Sequence, residues 1–107
     1  MIKLIKKEDT SINAVAIQFV ITKSIQCKFG VAYKYNGSEI IECFNLPKLN
    51  IHFDNIGAFI LIGEKKARVN DYIVEENYID FTTYSLVELK ELYILPKQVS
   101  FPVEKPY

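Results

Sequence analysis

Residues 69–93, VNDYIVEENYIDFTTYSLVELKELY, hold the local signals on which the fold class turns. Asn70 and Asp71 are turn residues, whose short side chains bond nearby backbone amides. DYIV and YIDFTTY then read as two strands of a hairpin about Glu76-Asn77, with Tyr72 opposite Phe81 and Val74 opposite Ile79 on one face. Asp80 and Glu75 fall on the other face, towards water. A helix over 85–93 follows. Ser85 precedes Glu88 by three positions, a capping box, and Tyr84 is placed to pack on Leu89 as a hydrophobic staple. Leu86, Leu89 and Leu92 or Tyr93 make its buried stripe. Every special residue of the segment has a structural task, so it reads as scaffold.

Upstream, residues 2–6 (IKLIK) fit a short edge strand and AVAIQFV, residues 14–20, a firmer one. TKSIQCKF, residues 22–29, fits either a short helix capped by Thr22 or a continuing strand, and the helix is preferred. In VAYKYNGSEIIECF the Asn36-Gly37 pair predicts a type I′ hairpin turn, which needs positive φ at both positions. That register sets Lys34 against Glu39 and Tyr33 against Ile40, and keeps Cys43 from Cys27, so two free thiols are expected. Pro47 and LNIHFDN form a connection, and GAFILIG predicts a strand covered on both faces. The closing ILPKQVSFPVEKPY has three prolines and predicts an extended tail.

The expected architecture is α+β: one domain over 1–93 and an extended proline-containing tail over 94–107. Its sheet is expected to be mostly antiparallel, a strongly bent sheet or small open barrel of five to seven strands, with the single helix packed on it.

The 107 residues balance 13 basic against 13 acidic side chains, so no overall field draws nucleic acid or an anionic membrane. Basic charge comes from lysine, and Arg68 is the only arginine, which argues against bidentate reading of phosphate or guanine. No window approaches a membrane span, and the early charges at Lys6, Lys7, Glu8 and Asp9 break any signal-peptide run. With two cysteines, a reduced cytoplasmic protein is the expectation.

Catalytic patterns are missing. His52 is the only histidine, and neither Cys27 nor Cys43 lies at metal-ligand spacing from it. There is no G-x-S-x-G, G-K-[ST] or G-x-G-x-x-G. Acidic neighbours such as Glu75-Glu76 sit in a turn rather than across a cleft. The expectation is therefore no catalytic residue, no metal and no cofactor. Seven tyrosines and seven phenylalanines raise a stacking platform for single-stranded nucleic acid, for which Tyr33 and Tyr35 beside Lys28 and Lys34 come nearest. Tyr35 and Tyr78, near hairpin ends, and Phe101 and Tyr107 in the tail are the candidate contacts for a partner protein.

AVAIQF near the start, IGAFILIG, then VNDYIV, a polar hairpin and SLVELKELY together resemble the small phage-encoded domains of the PGDYG type. Ala14–Phe19, Asp71-Tyr72-Ile73-Val74 and Leu89 with Tyr93 carry the likeness. Asn70 stands where that family has glycine, and Ser85 where proline is usual. The resemblance covers about half the chain. It implies a viral or prophage origin and a compact α+β fold, and it transfers no activity and no site residue. With balanced charge, uncovered tyrosines and no catalytic constellation, the expected function is a non-enzymatic accessory protein of viral origin that occupies a surface of a host protein, in its sharper form an anti-CRISPR-like inhibitor of a host defence system. The alternatives are a structural or virion-associated homo-oligomer and a single-stranded nucleic-acid binder.

Overall fold

The computed structural model describes residues 1–96. Ten strands and two helices follow one another as β1 (Ile2–Lys6), β2 (Asn13–Gln18), β3 (Ile21–Cys27), β4 (Gly30–Tyr35), α1 (Gly37–Phe44), β5 (His52–Phe53), β6 (Ala58–Ile62), β7 (Lys65–Arg68), β8 (Tyr72–Glu76), β9 (Asp80–Tyr84), α2 (Leu86–Leu92) and β10 (Tyr93–Ile94). Every pairing is antiparallel, in a five-stranded sheet β10-β1-β2-β8-β9, a two-stranded sheet β3-β4 and a three-stranded sheet β5-β6-β7. The α+β class stands, mostly β. Among the described residues the sheets do not close into a barrel, and there are two helices where one was expected.

The five-stranded sheet is covered on both faces, and the alternation of β8 shows how. Tyr72 and Val74 join Leu4, Ala14, Ala16, Leu89 and Tyr93 in one core beneath α2. Ile73, between them, points the other way and joins Ile17, Phe19, Ile40, Phe44, Ile60, Ile62 and Ala67 in a second core. A single strand therefore feeds both cores, which is why YIV carries no polar interruption. Glu75, expected in water, is only 9% exposed, because it shares the covered face with Val15 and Phe81.

Four local readings are corrected. Asn36-Gly37 is not a hairpin turn: Asn36 has φ −86°, and α1 starts beside it. Its amide side chain accepts from Val20 N at 3.0 Å and donates to the Gln18 carbonyl at 2.6 Å, so a long-range bond takes the place of local turn chemistry. Gly37 leaves room for the Tyr35 ring, which a Cβ there would strike. The run SEIIECF is helical because Ile40 and Phe44, four apart, enter the second core. TKSIQCKF, preferred as helix, is strand β3, paired along its length with β4.

The β8–β9 hairpin exists, but its register is displaced: Tyr72 faces Tyr84 and Val74 faces Thr82. Asn77 and Tyr78 both take positive φ, 51° and 62°, which lengthens the loop beyond the turn expected. Lastly, β1 is not an edge strand. Ile5 and Lys6 pair with Ile94 and Tyr93, so the start of the expected tail belongs to the sheet, and residues 97–107 of that tail lie outside the described residues.

The capping box is present as expected. Ser85 N donates to Glu88 Oε1 at 3.0 Å and Glu88 N donates to Ser85 Oγ at 3.3 Å. Asn70, at φ 77°, occupies the left-handed region that glycine otherwise fills.

Candidate functional site

The chain from Val20 to Asn36 leaves the two cores and returns as the β3–β4 hairpin. Its turn is Lys28-Phe29, and the positive φ falls on the next residue, Gly30, at 128°. Glycine at the fourth position of a tight turn removes the need for Asn-Gly at its centre, so the loop carries no conventional hairpin signal. At the base, Asn36 bonds the end of β2, and Thr22 Oγ1 donates to the Lys34 carbonyl at 3.0 Å across a bulge between Ile21 and Lys23.

One face of the hairpin leans on the body. Tyr35 meets Phe19 edge-on at 6.0 Å between centroids, and its hydroxyl donates to the Leu49 carbonyl at 3.0 Å. Tyr33 packs on Phe53 at 5.1 Å. By alternation the opposite face carries Lys23, Ile25, Ala32 and Lys34. Thr22 to Cys27 are exposed without interruption, and Phe29 at the tip is 93% exposed, with Lys28 Nζ 5.8 Å from its ring centre. Burying a Phe side chain is worth about 1.5–3 kcal/mol, and Phe29, at the end of a two-stranded arm, contributes little of it to the fold.

The residues expected to make contacts divide. Tyr35 is half-buried and held by Phe19 and Leu49, so its ring belongs to the fold. Tyr78 is 79% exposed at positive φ, beside the equally open Ile79, on a different edge of the molecule from the arm. Phe101 and Tyr107 lie outside the described residues. Phe29 and Ile25 are exposed apolar side chains beyond those expected. The available signal was the charge pattern, because Lys23, Lys28 and Lys34 stand between Val20 and Ser38 with no carboxylate among them.

Two polar clusters hold the body together. Asp54 accepts from Arg68 Nη1 at 2.7 Å and Nη2 at 2.5 Å, from Lys66 Nζ at 2.9 Å, and from the amides of Ile56 and Gly57. The Arg68 fork and the Lys66 ammonium hold its carboxyl well below the ordinary carboxylate range. Arg68 and Lys66 also cover the Phe59 ring, on which His52 stacks at 5.4 Å. The second cluster joins Lys6, Glu76 and Tyr93. In the Asn70-Asp71 turn, burial pushes the Asp71 carboxyl up, while one oxygen accepts the Arg68 amide at 2.8 Å. That oxygen closes the turn after β7, in keeping with scaffold.

His52, Cys27 and Cys43 sit on β5, at the end of β3 and on α1, and both thiols are free and exposed. Among the described residues no three or more His, Cys, Asp or Glu side chains are grouped to hold a metal ion. Two depressions, of about 260 Å³ beside Ile2, Val20 and Glu39 and about 290 Å³ beside Ile5, Val15 and Tyr78, stand at the small end of the sizes that hold small molecules. Among the described residues no helix is long and apolar enough to cross a membrane.

Compared with protein-family models, curated proteins and solved structures, the chain finds no match in any of the three.

Proposed function

We propose that this chain is a non-enzymatic binding module that occupies a surface of another protein, with the β3–β4 arm as its contact. The observation that carries the reading is Phe29, held almost wholly in water by a turn the rest of the molecule does not need. Exposed aromatic anchors are the residues from which interface hot spots are built. Ile25 and Val31, also exposed, add apolar surface to the arm behind it, one on each face. The likeness of residues 14–19 and 71–74 to phage-encoded domains is the ground for reading the partner as a host protein, and inhibition of a defence system is the sharper form of the reading.

The experiment is capture from host lysate on the immobilised full chain, wild type beside Phe29→Ser. A stoichiometric partner retained by the wild type and lost by the variant supports the reading. Equal retention by both, or none by a folded wild type, overturns it. Phe29 touches neither core, so the variant is expected to unfold at the same denaturant concentration as the wild type.

A further inference from the structure

We infer that the β3 edge of the arm receives an extended acidic segment of a partner protein as an added strand, a conclusion that rests on the arm being the contact surface. The two edges of the hairpin are unequal. Tyr33 and Tyr35 tie β4 to Phe53 and Phe19, whereas Thr22–Cys27 of β3 are exposed one after another. In a two-stranded sheet the outer side of β3 offers main-chain N–H and C=O groups to a further strand, the mode in which backbone bonds supply affinity and flanking side chains supply choice.

Charge selects the occupant. Lys23 and Lys34 are cross-strand partners, so two ammonium groups share the outer face with no acid between Val20 and Ser38 to offset them. Lys28 adds a third at the tip. Like charges set opposite one another destabilise a ladder, and carboxylates on an added strand relieve that repulsion. A second copy of the arm brings three more lysines and worsens it, so the same residues that invite an acidic strand turn away self-pairing. Nucleic acid would satisfy the lysines but leaves Ile25 and Val31 without a partner. Tyr33 and Tyr35, the rings a stacked base would need, are turned to the body. An alternating acidic and aliphatic segment sets its carboxylates on the face of Lys23 and Lys34 and its aliphatic side chains on the face of Val31.

The test uses the ¹⁵N-labelled full chain with a short capped peptide alternating Glu and Val, a Lys–Val control peptide and an oligothymidylate. The expected result is slowed amide exchange and shift changes confined to Thr22–Cys27 and the tip with the acidic peptide, and none with the basic one. Lys23→Gln and Lys34→Gln should each weaken binding about two- to fivefold, the range of a solvent-exposed ion pair, with the loss shrinking in salt. No acidic-peptide binding, binding elsewhere, oligothymidylate on the arm in its place, or concentration-dependent pairing of β3 with itself would each overturn the inference. If the peptide fails while lysate capture still depends on Phe29, the acidic strand alone is refuted. If capture ignores Phe29, the arm as contact is refuted with it.

Discussion

The hydroxyl of Tyr93, at the first residue of β10, donates to the carboxylate of Glu76, at the last residue of β8, and Lys6 Nζ meets the same carboxylate at 3.1 Å. β10, β1 and β8 are thereby joined at one corner of the five-stranded sheet. β10 is only two residues long, so the side-chain bond secures what so short a ladder cannot. Burial alone would raise the Glu76 carboxyl, but the bonds from Tyr93 and Lys6 outweigh it and hold it below the ordinary range.

Tyr93→Phe removes one of those bonds and leaves the shape of the ring. Stability should fall by about 1–2 kcal/mol, the scale of a partly exposed hydrogen bond to a charged group, with an unchanged denaturant slope. The Glu76 carboxyl should titrate at higher pH in the variant, as a ¹³C-carboxyl NMR titration reads directly. An unmoved titration would show that the bond does not form in solution.

Asp54 gives a pH signature. Its carboxyl is depressed in the folded chain, so its contribution is full above the unfolded value of 3.8 and drains away as pH falls below that towards the folded value. Melting curves of wild type and Asp54→Asn should therefore lie apart at neutral pH and draw together in acid. Arg68→Lys should not substitute, because one ammonium cannot reproduce the two-pronged fork.

Gly37→Ala reverses a usual sign. In an open helix the change would gain up to about 1 kcal/mol. Here the new Cβ meets the Tyr35 ring, and the crowding should cost about 1–3 kcal/mol by chemical denaturation. Pairing it with Tyr35→Leu should recover part of the loss.

Ser85→Ala should cost about 1 kcal/mol and Ser85→Asp much less, since aspartate keeps an acceptor for the Glu88 amide. Equal losses would mean that the cap does not hold α2.

Lys34→Glu converts the Lys23–Lys34 repulsion into attraction. Amides of β3 and β4 should exchange more slowly by the equivalent of about 0.2–1 kcal/mol, and raised salt should erase the difference.

What could be read in the chain and what could not divides by the range of the forces involved. The Ser85–Glu88 cap, the strand AVAIQ and the strand AFILI rest on neighbours in sequence, and each appears where local pattern places it. Asn36-Gly37 misleads because its partners are distant: Gln18 and Val20 take the Asn side chain, and the Tyr35 ring takes the space that glycine leaves. The β8–β9 register shifted because Asn77 and Tyr78 both adopt left-handed backbone, which no pairing rule expects of a tyrosine. β10 has too few residues to announce itself, and its place is set by Glu76 and by pairing with β1. Among the exposed rings, the tyrosines stand out by residue type, whereas the exposure of Phe29 depends on tertiary packing and its stretch is marked in sequence only by lysines without carboxylates.

Asn36 closes the arm and opens α1, with its side chain fastened to the end of β2. Arm, helix and central sheet thus share one fulcrum of a single amide. Tilting the arm must either carry α1 with it, and so disturb the seating of Ile40 and Phe44, or break that amide's bonds first. A displacement of the tip is consequently felt in the interior.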